Sequence, residues 1–182
     1  VSLRVKDLVD KLSFGSDDLF NHLFKNNHLQ TVLNGHFQYD RKKREFIFKK
    51  DHATFKSINV ASGLKCFGIL QMLNRNGFLD NRSLLILDEP EVHLHPKWQL
   101  AYAQVIIDLI KEEGLNVVVN SHSPYMIEAL KRFAEKENIN ANYYLAEDGK
   151  IIKSDDSLEK IFEKLSEPFI TFDDMDAEKL NG

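Results

Sequence analysis

The chain has 182 residues, 43% of them hydrophobic and 29% charged, with a formal net charge of −4. That length suits one domain with a full core, the composition excludes a disordered or fibrous chain, and the charge supplies no global field toward nucleic acid or an anionic membrane. A single cysteine, Cys66, excludes an internal disulfide framework and fits a reducing, cytoplasmic setting; no apolar run approaches the ~20 residues of a membrane span, and no signal peptide is visible.

The chain begins with Val1, which reads as the start of a fragment. Val5, Leu8, Val9 and Leu12 recur at helical spacing and predict a first helix. Gly15-Ser16-Asp17-Asp18 breaks it and offers N-caps for a second, carrying Leu19, Phe20, Leu23 and Phe24. Phe37-Gln38-Tyr39 and Phe46-Ile47-Phe48 predict a hairpin closed by the basic turn Arg41-Lys42-Lys43-Arg44. From Ser62 a helix runs through Phe67, Leu70 and Leu73 to a stop near Gly77.

Next comes Leu84-Leu85-Ile86-Leu87-Asp88-Glu89-Pro90-Glu91-Val92-His93-Leu94-His95-Pro96. A continuous apolar run of this kind predicts a strand buried on both faces, as in a parallel sheet. After Pro96 a helix places Trp98, Tyr102, Val105, Ile106, Leu109 and Ile110 on one broad face and ends at Gly114. A second apolar strand, residues 115–119, closes on Asn120-Ser121-His122-Ser123, and Pro124 opens a further helix with Ser123 as N-cap. Asn142 to Ala146 and Lys150 to Lys153 predict a hairpin around Asp148-Gly149. Asp156 and Glu159 resemble a capping box for a last helix ending before Pro168, and an acidic tail follows. The alternation through the middle predicts an α/β domain, a mostly parallel sheet flanked by helices.

Three segments carry chemistry. Asp88-Glu89 lies at the carboxyl end of its strand, where open α/β sheets bind ligands; one carboxylate suits a hydrated magnesium ion and the other can activate water. Two surface carboxylates would be the plainer reading. His122 follows the next strand, so it faces the same edge, where an imidazole can contact a terminal phosphate. Ser62-Gly63-Leu64-Lys65 opens a helix, which offers a hydroxyl, backbone N–H groups and the positive end of the dipole to an anion. The plainer reading there is an N-cap serine.

In this order and spacing the three segments resemble the second half of an ABC-type ATPase head. They are most similar to the SMC, RecF and OLD-like ATPases, AAA-family ATP-binding proteins of bacteria with a P-loop NTPase-type fold. The resemblance covers roughly residues 35–147. It implies that Ser62-Gly63 is the signature, Leu84 to Pro90 Walker B, Glu91 to Pro96 the D-loop region, and His122 the switch histidine. It further implies that Asp88 coordinates Mg2+, Glu89 is the catalytic base and His122 contacts the γ-phosphate. Ser62 and Gly63, with Lys65 beside them, would meet the γ-phosphate of ATP on a second subunit, in a homodimer with two sandwiched nucleotides. The missing second glycine of transporter signatures argues against a membrane transporter. OLD-like ATPases resemble engines coupled to other activities, in phage defence and DNA repair, so DNA or an effector protein is an expected partner.

No G-x-x-x-x-G-K-[ST] occurs in the 182 residues. In the families resembled it lies N-terminal, so the expected organisation is a helical segment at 1–34, the C-terminal part of the ATPase domain at 35–168 and an acidic tail at 169–182. These residues alone are expected to be inactive, because the β- and γ-phosphates lack their backbone nest and lysine. Two alternatives stand beside this. His93 and His95 with Glu91 form a His-x-His set that zinc hydrolases use. The basic turn Arg41 to Arg44, with Lys49 and Lys50, would suit a non-catalytic nucleic-acid module.

Overall fold

The computed structural model describes residues 3–14, 27–154 and 158–167. The first predicted helix is α1, Leu3–Ser13. Its apolar stripe is used unevenly, since Leu12 is buried while Val5, Leu8 and Val9 stay exposed. Asn76 caps its end from a distance, its Nδ2 donating to the carbonyls of Lys11 (2.8 Å) and Leu12 (3.2 Å), two acceptors the helix itself cannot satisfy. The helix predicted around Leu19 to Phe24 lies outside the described residues, as do Asp156 and the acidic tail. A short helix, α2, spans Asn27–Leu33.

The predicted hairpin is β1, His36–Asp40, and β2, Glu45–Lys50, antiparallel with Phe37 opposite Phe48. A third strand, β3 at Ala53–Lys56, pairs with β2 across a tight turn at Asp51-His52. The basic turn is ordered from within: Asp40 Oδ1 accepts from the amides of Lys42 (3.0 Å) and Lys43 (3.1 Å). Those N–H bonds, Lys43's above all, hold the Asp40 carboxyl below the usual range.

α3 spans Ser62–Arg75. Its buried Gln71 sews it to β1, Oε1 accepting from the Phe37 amide (2.8 Å) and Nε2 donating to the Gly35 carbonyl (3.2 Å). Then come β4, Leu84–Asp88, α4, Pro96–Glu113, β5, Asn116–Asn120, and α5, Pro124–Lys136. Sequence signals mark each boundary: His95 caps and Pro96 opens α4, Gly114 ends it at φ 70°, and Ser123 Oγ accepts from the Met126 amide to start α5. The last hairpin is β6, Tyr144–Glu147, and β7, Lys150–Lys153, turning through Asp148 and Gly149 at φ 49° and 72°. Residues 159–167 are helical.

One core runs through α2, β1, α3, α4 and α5, with Leu29, Phe37, Phe67, Leu70, Val105, Ile106, Leu109 and Met126 fully enclosed. Tyr102 stacks edge-on against Phe67 at 4.9 Å, and burial lifts its phenol far above the ordinary range.

β4 and β5 form a parallel pair in equal register, Leu84 opposite Asn116 through Asp88 opposite Asn120. Leu85, Leu87, Val117 and Val119 pack on the core. The expectation of burial on both faces is corrected here: Leu84, Ile86 and Val118 are 60%, 67% and 52% exposed. An apolar run makes both faces fit for burial, but the described residues supply helices to one face only.

Candidate functional site

Equal register places the carboxyl ends of β4 and β5 side by side, so Asp88 and Asn120 are neighbours across the ladder. Asn120 Nδ2 donates to Asp88 Oδ1 at 2.7 Å, which orients the carboxylate at an exposed strand end. A hard oxygen donor of this kind fits magnesium. The Glu89 amide donates to the Asn120 carbonyl at 2.8 Å, the last link between the strands.

Glu89 then leaves the strand with φ 45°. That left-handed conformation is uncommon for any residue but glycine or asparagine and stores strain. It turns the chain tightly, the Val92 amide donating to the Glu89 carbonyl at 3.1 Å. Beyond β5, His122 Nε2 lies 3.3 Å from Glu89 Oε1. Both side chains are open to solvent, so the contact itself contributes little stability. A carboxylate and an imidazole in contact at one exposed sheet edge, beside an oriented aspartate, are able to pass a proton between them.

The Ser62 end of α3 is built differently from a plain cap. Ala61 is the N-cap and carries no capping oxygen, so the first N–H groups are left to solvent or an anion. Ser62 is exposed. Gly63 lies against residues 93–94: a Cβ there would stand 2.9 Å from Leu94 Cδ2 and 3.2 Å from the His93 carbonyl oxygen. Lys65 Nζ reaches back to the Ile58 carbonyl at 3.4 Å. The loop after Glu89 therefore touches the helix that Ser62 opens.

His93 and His95 do not converge as a metal pair. His95 Nδ1 accepts from the Lys97 amide at 3.3 Å, a capping role, and Glu91 is turned toward the loop after β5. Among the described residues no three His, Cys, Asp or Glu side chains cluster as metal ligands. Arg41 in the basic turn donates to the Phe14 carbonyl at 3.3 Å. Cys66 is half-buried and burial raises its thiol, as befits a packing residue. Spacing in the sequence pointed to Asp88, Glu89 and His122; it missed Asn120 as the partner of Asp88, which equal strand lengths would have indicated.

A parallel pair flanked by helices, with acidic and imidazole groups at its carboxyl edge, defines an α/β domain with a polar, ligand-ready edge. Residues 3–127 match the family model of the AAA ATPase domain, and the chain belongs to that family.

A solved structure described as the structural biochemistry of ATP-driven dimerization and DNA-stimulated activation of SMC ATPases superposes with a TM-score of 0.53. The two are 14% identical, over 91% of this chain and 95% of that one. The fold is thus similar to that of an SMC ATPase head. The SMC head domain from Thermotoga maritima gives a TM-score of 0.48 at 14% identity, over 82% of this chain and 51% of that one. Protein ea59 of Escherichia phage lambda is 33% identical over 51 residues, 28% of this chain. The match spans a tenth of that relative's length. Among the described residues no helix is long and apolar enough to cross a membrane.

Proposed function

We propose that these residues are the signature, Walker B, D-loop and switch-histidine half of an SMC- or OLD-like ATP-hydrolysing head. Asp88 is the magnesium ligand, Glu89 the base that takes a proton from the attacking water, and His122 the group that contacts the γ-phosphate. Ser62, Gly63 and Lys65 face ATP held by a second copy. Bound magnesium supplies charge neutralisation at the transferring phosphate. The chain's own work is to orient Asp88 through Asn120 and to hold Glu89 and His122 at one edge.

The observation that carries this reading is the 3.3 Å approach of His122 to Glu89 beside Asp88, at the carboxyl end of a parallel pair. The phosphate cradle is the missing element, since no Walker A sequence occurs among the 182 residues. On this proposal, residues 35–168 are the C-terminal part of the domain, and a P-loop from sequence N-terminal to them completes it. The bare face of β4 and β5 supports that arrangement, because parallel strands are ordinarily covered on both sides. A dimer, and a DNA-linked role in repair or phage defence, are consistent with the dimerization and DNA stimulation described for the SMC ATPases above.

The test is magnesium-dependent ATP hydrolysis. The 182 residues alone turn over no ATP; joined to a P-loop-bearing half they do, and Glu89→Gln abolishes it. Turnover by the 182 residues alone, or turnover that survives Glu89→Gln in the completed domain, would sink the proposal.

A further inference from the structure

Glu91 stands two residues past Glu89, inside the tight turn, and its side chain crosses to the loop after β5. One oxygen, Oε1, accepts three hydrogen bonds there: from Ser121 Oγ at 2.7 Å, the His122 amide at 2.8 Å and the Ser123 amide at 3.1 Å. The Ser123 amide also reaches Ser121 Oγ at 3.1 Å. The other oxygen, Oε2, is enclosed and has no hydrogen-bond partner in the structure. The hold on the loop is thus exerted through a single atom. A second tie lies behind it: Ser123 Oγ donates to Gln99 Oε1 at 2.5 Å, and the buried Gln99 donates through Nε2 to the Leu94 carbonyl at 2.9 Å.

We propose that Glu91 is a positioning residue for His122. Its carboxylate fixes the backbone of residues 121–123, and the imidazole, otherwise exposed on a loop, is thereby held at Glu89. This rests on the reading of Glu89 and His122 as working groups of one site. It adds a connection that local sequence spacing does not contain, because the two loops are separated by the whole of α4. It also gives the half-buried Glu91 a role beyond its own turn: one oxygen at that reach accepts from a hydroxyl and from two backbone N–H groups of a non-helical loop.

The proposal separates reach from charge. Glu91→Asp keeps the charge but withdraws the oxygens by about one carbon–carbon bond, ~1.5 Å. Glu91→Gln keeps the reach and one acceptor oxygen but loses the charge. The measurement is amide hydrogen exchange by NMR on the 182-residue chain, with the nuclear Overhauser contact between the His122 ring and the Glu89 methylenes as a second signal. In Glu91→Asp the His122 and Ser123 amides exchange at least about tenfold faster than in the wild type, and the ring contact is lost. In Glu91→Gln both amides stay within about threefold of the wild type and the contact persists. The Asn116 amide, which donates to the Ser83 carbonyl, reports that the fold is intact and is unchanged in both.

Wild-type exchange in Glu91→Asp overturns the proposal. So does equal loss in the two variants, because the hold would then need the charge as well as the reach of one oxygen. Neither readout depends on ATP turnover, so a failure of the ATPase reading in the Glu89→Gln assay is seen separately from a failure here.

Discussion

The backbone of Glu89 allows a sharp test of whether the candidate base is held at a cost in stability. Its φ of 45° places a glutamate where a Cβ crowds the carbonyl oxygen, a conformation that costs roughly 1–2 kcal/mol. Asparagine tolerates that region far better than glutamine, which shares glutamate's shape. Both substitutions remove the charge pairing with His122, which is worth at most ~1 kcal/mol between side chains 75% and 47% exposed. That loss cancels when the two variants are compared with each other. The remaining difference is backbone strain, so Glu89→Asn should be more stable than Glu89→Gln by about 1 kcal/mol. For a chain of this size that is about 2–4 °C in melting temperature. Thermal unfolding followed by circular dichroism, both variants in one buffer, measures it. If Glu89→Asn melts at or below Glu89→Gln, the turn stores no strain at this residue and the reasoning fails.

Two further outcomes concern the frame around the site. Gly68→Ala should destabilise, although alanine is the better helix former by about 1 kcal/mol. The new Cβ would stand 2.3 Å from Phe37 Cδ2, and that ring is buried and stacked on Phe48 at 4.7 Å. Overpacking costs roughly 1–3 kcal/mol and outweighs the propensity gain, so the urea midpoint should fall; a rise would show that the ring gives way freely. Asp80, in the loop that leads into β4, is held below its ordinary value of 3.8 first by the Arg82 side chain, then by the Ser83 hydroxyl and the Arg82 amide. A depressed carboxyl stabilises above its unfolded value and loses that contribution as pH falls through the folded one. Glu, Asp and histidine elsewhere also titrate in acid, so the expected signature is differential: Asp80→Asn flattens the acid limb of the stability curve below about pH 4 relative to the wild type. An unchanged limb in urea titrations from pH 6 to 2.5 would count against it.

Elements with local signals were legible in the sequence. Asp148-Gly149, Gly114, His95-Pro96 and Ser123-Pro124 mark turns and caps whose chemistry acts over two to four residues, and each lies where its chemistry requires. β3 escaped because all four of its residues are exposed, which erases the alternation that betrays a strand. α2 is seven residues long, too short for its apolar spacing to stand out. At the site, Asp88, Glu89 and His122 were legible because each follows an apolar strand directly. The left-handed turn at Glu89 was not, since glutamate has no preference for it. The grip of Glu91 on residues 121–123, the tie of Asn120 to Asp88 and the approach of Gly63 to Leu94 are tertiary contacts, and the periodicity of one segment holds no information about its neighbour in space.

The uncovered side of β4 and β5 has a practical corollary for solution work. Leu84, Ile86 and Val118 present apolar side chains to water, and among the described residues each strand has a single neighbour, so one edge of each is unpaired. Water favours any contact that hides such a surface, and an unpaired edge offers a template for it. Self-association therefore competes with the isolated folded chain, and apparent melting points and urea midpoints vary with protein concentration. Comparisons among variants are meaningful only at one fixed, dilute concentration.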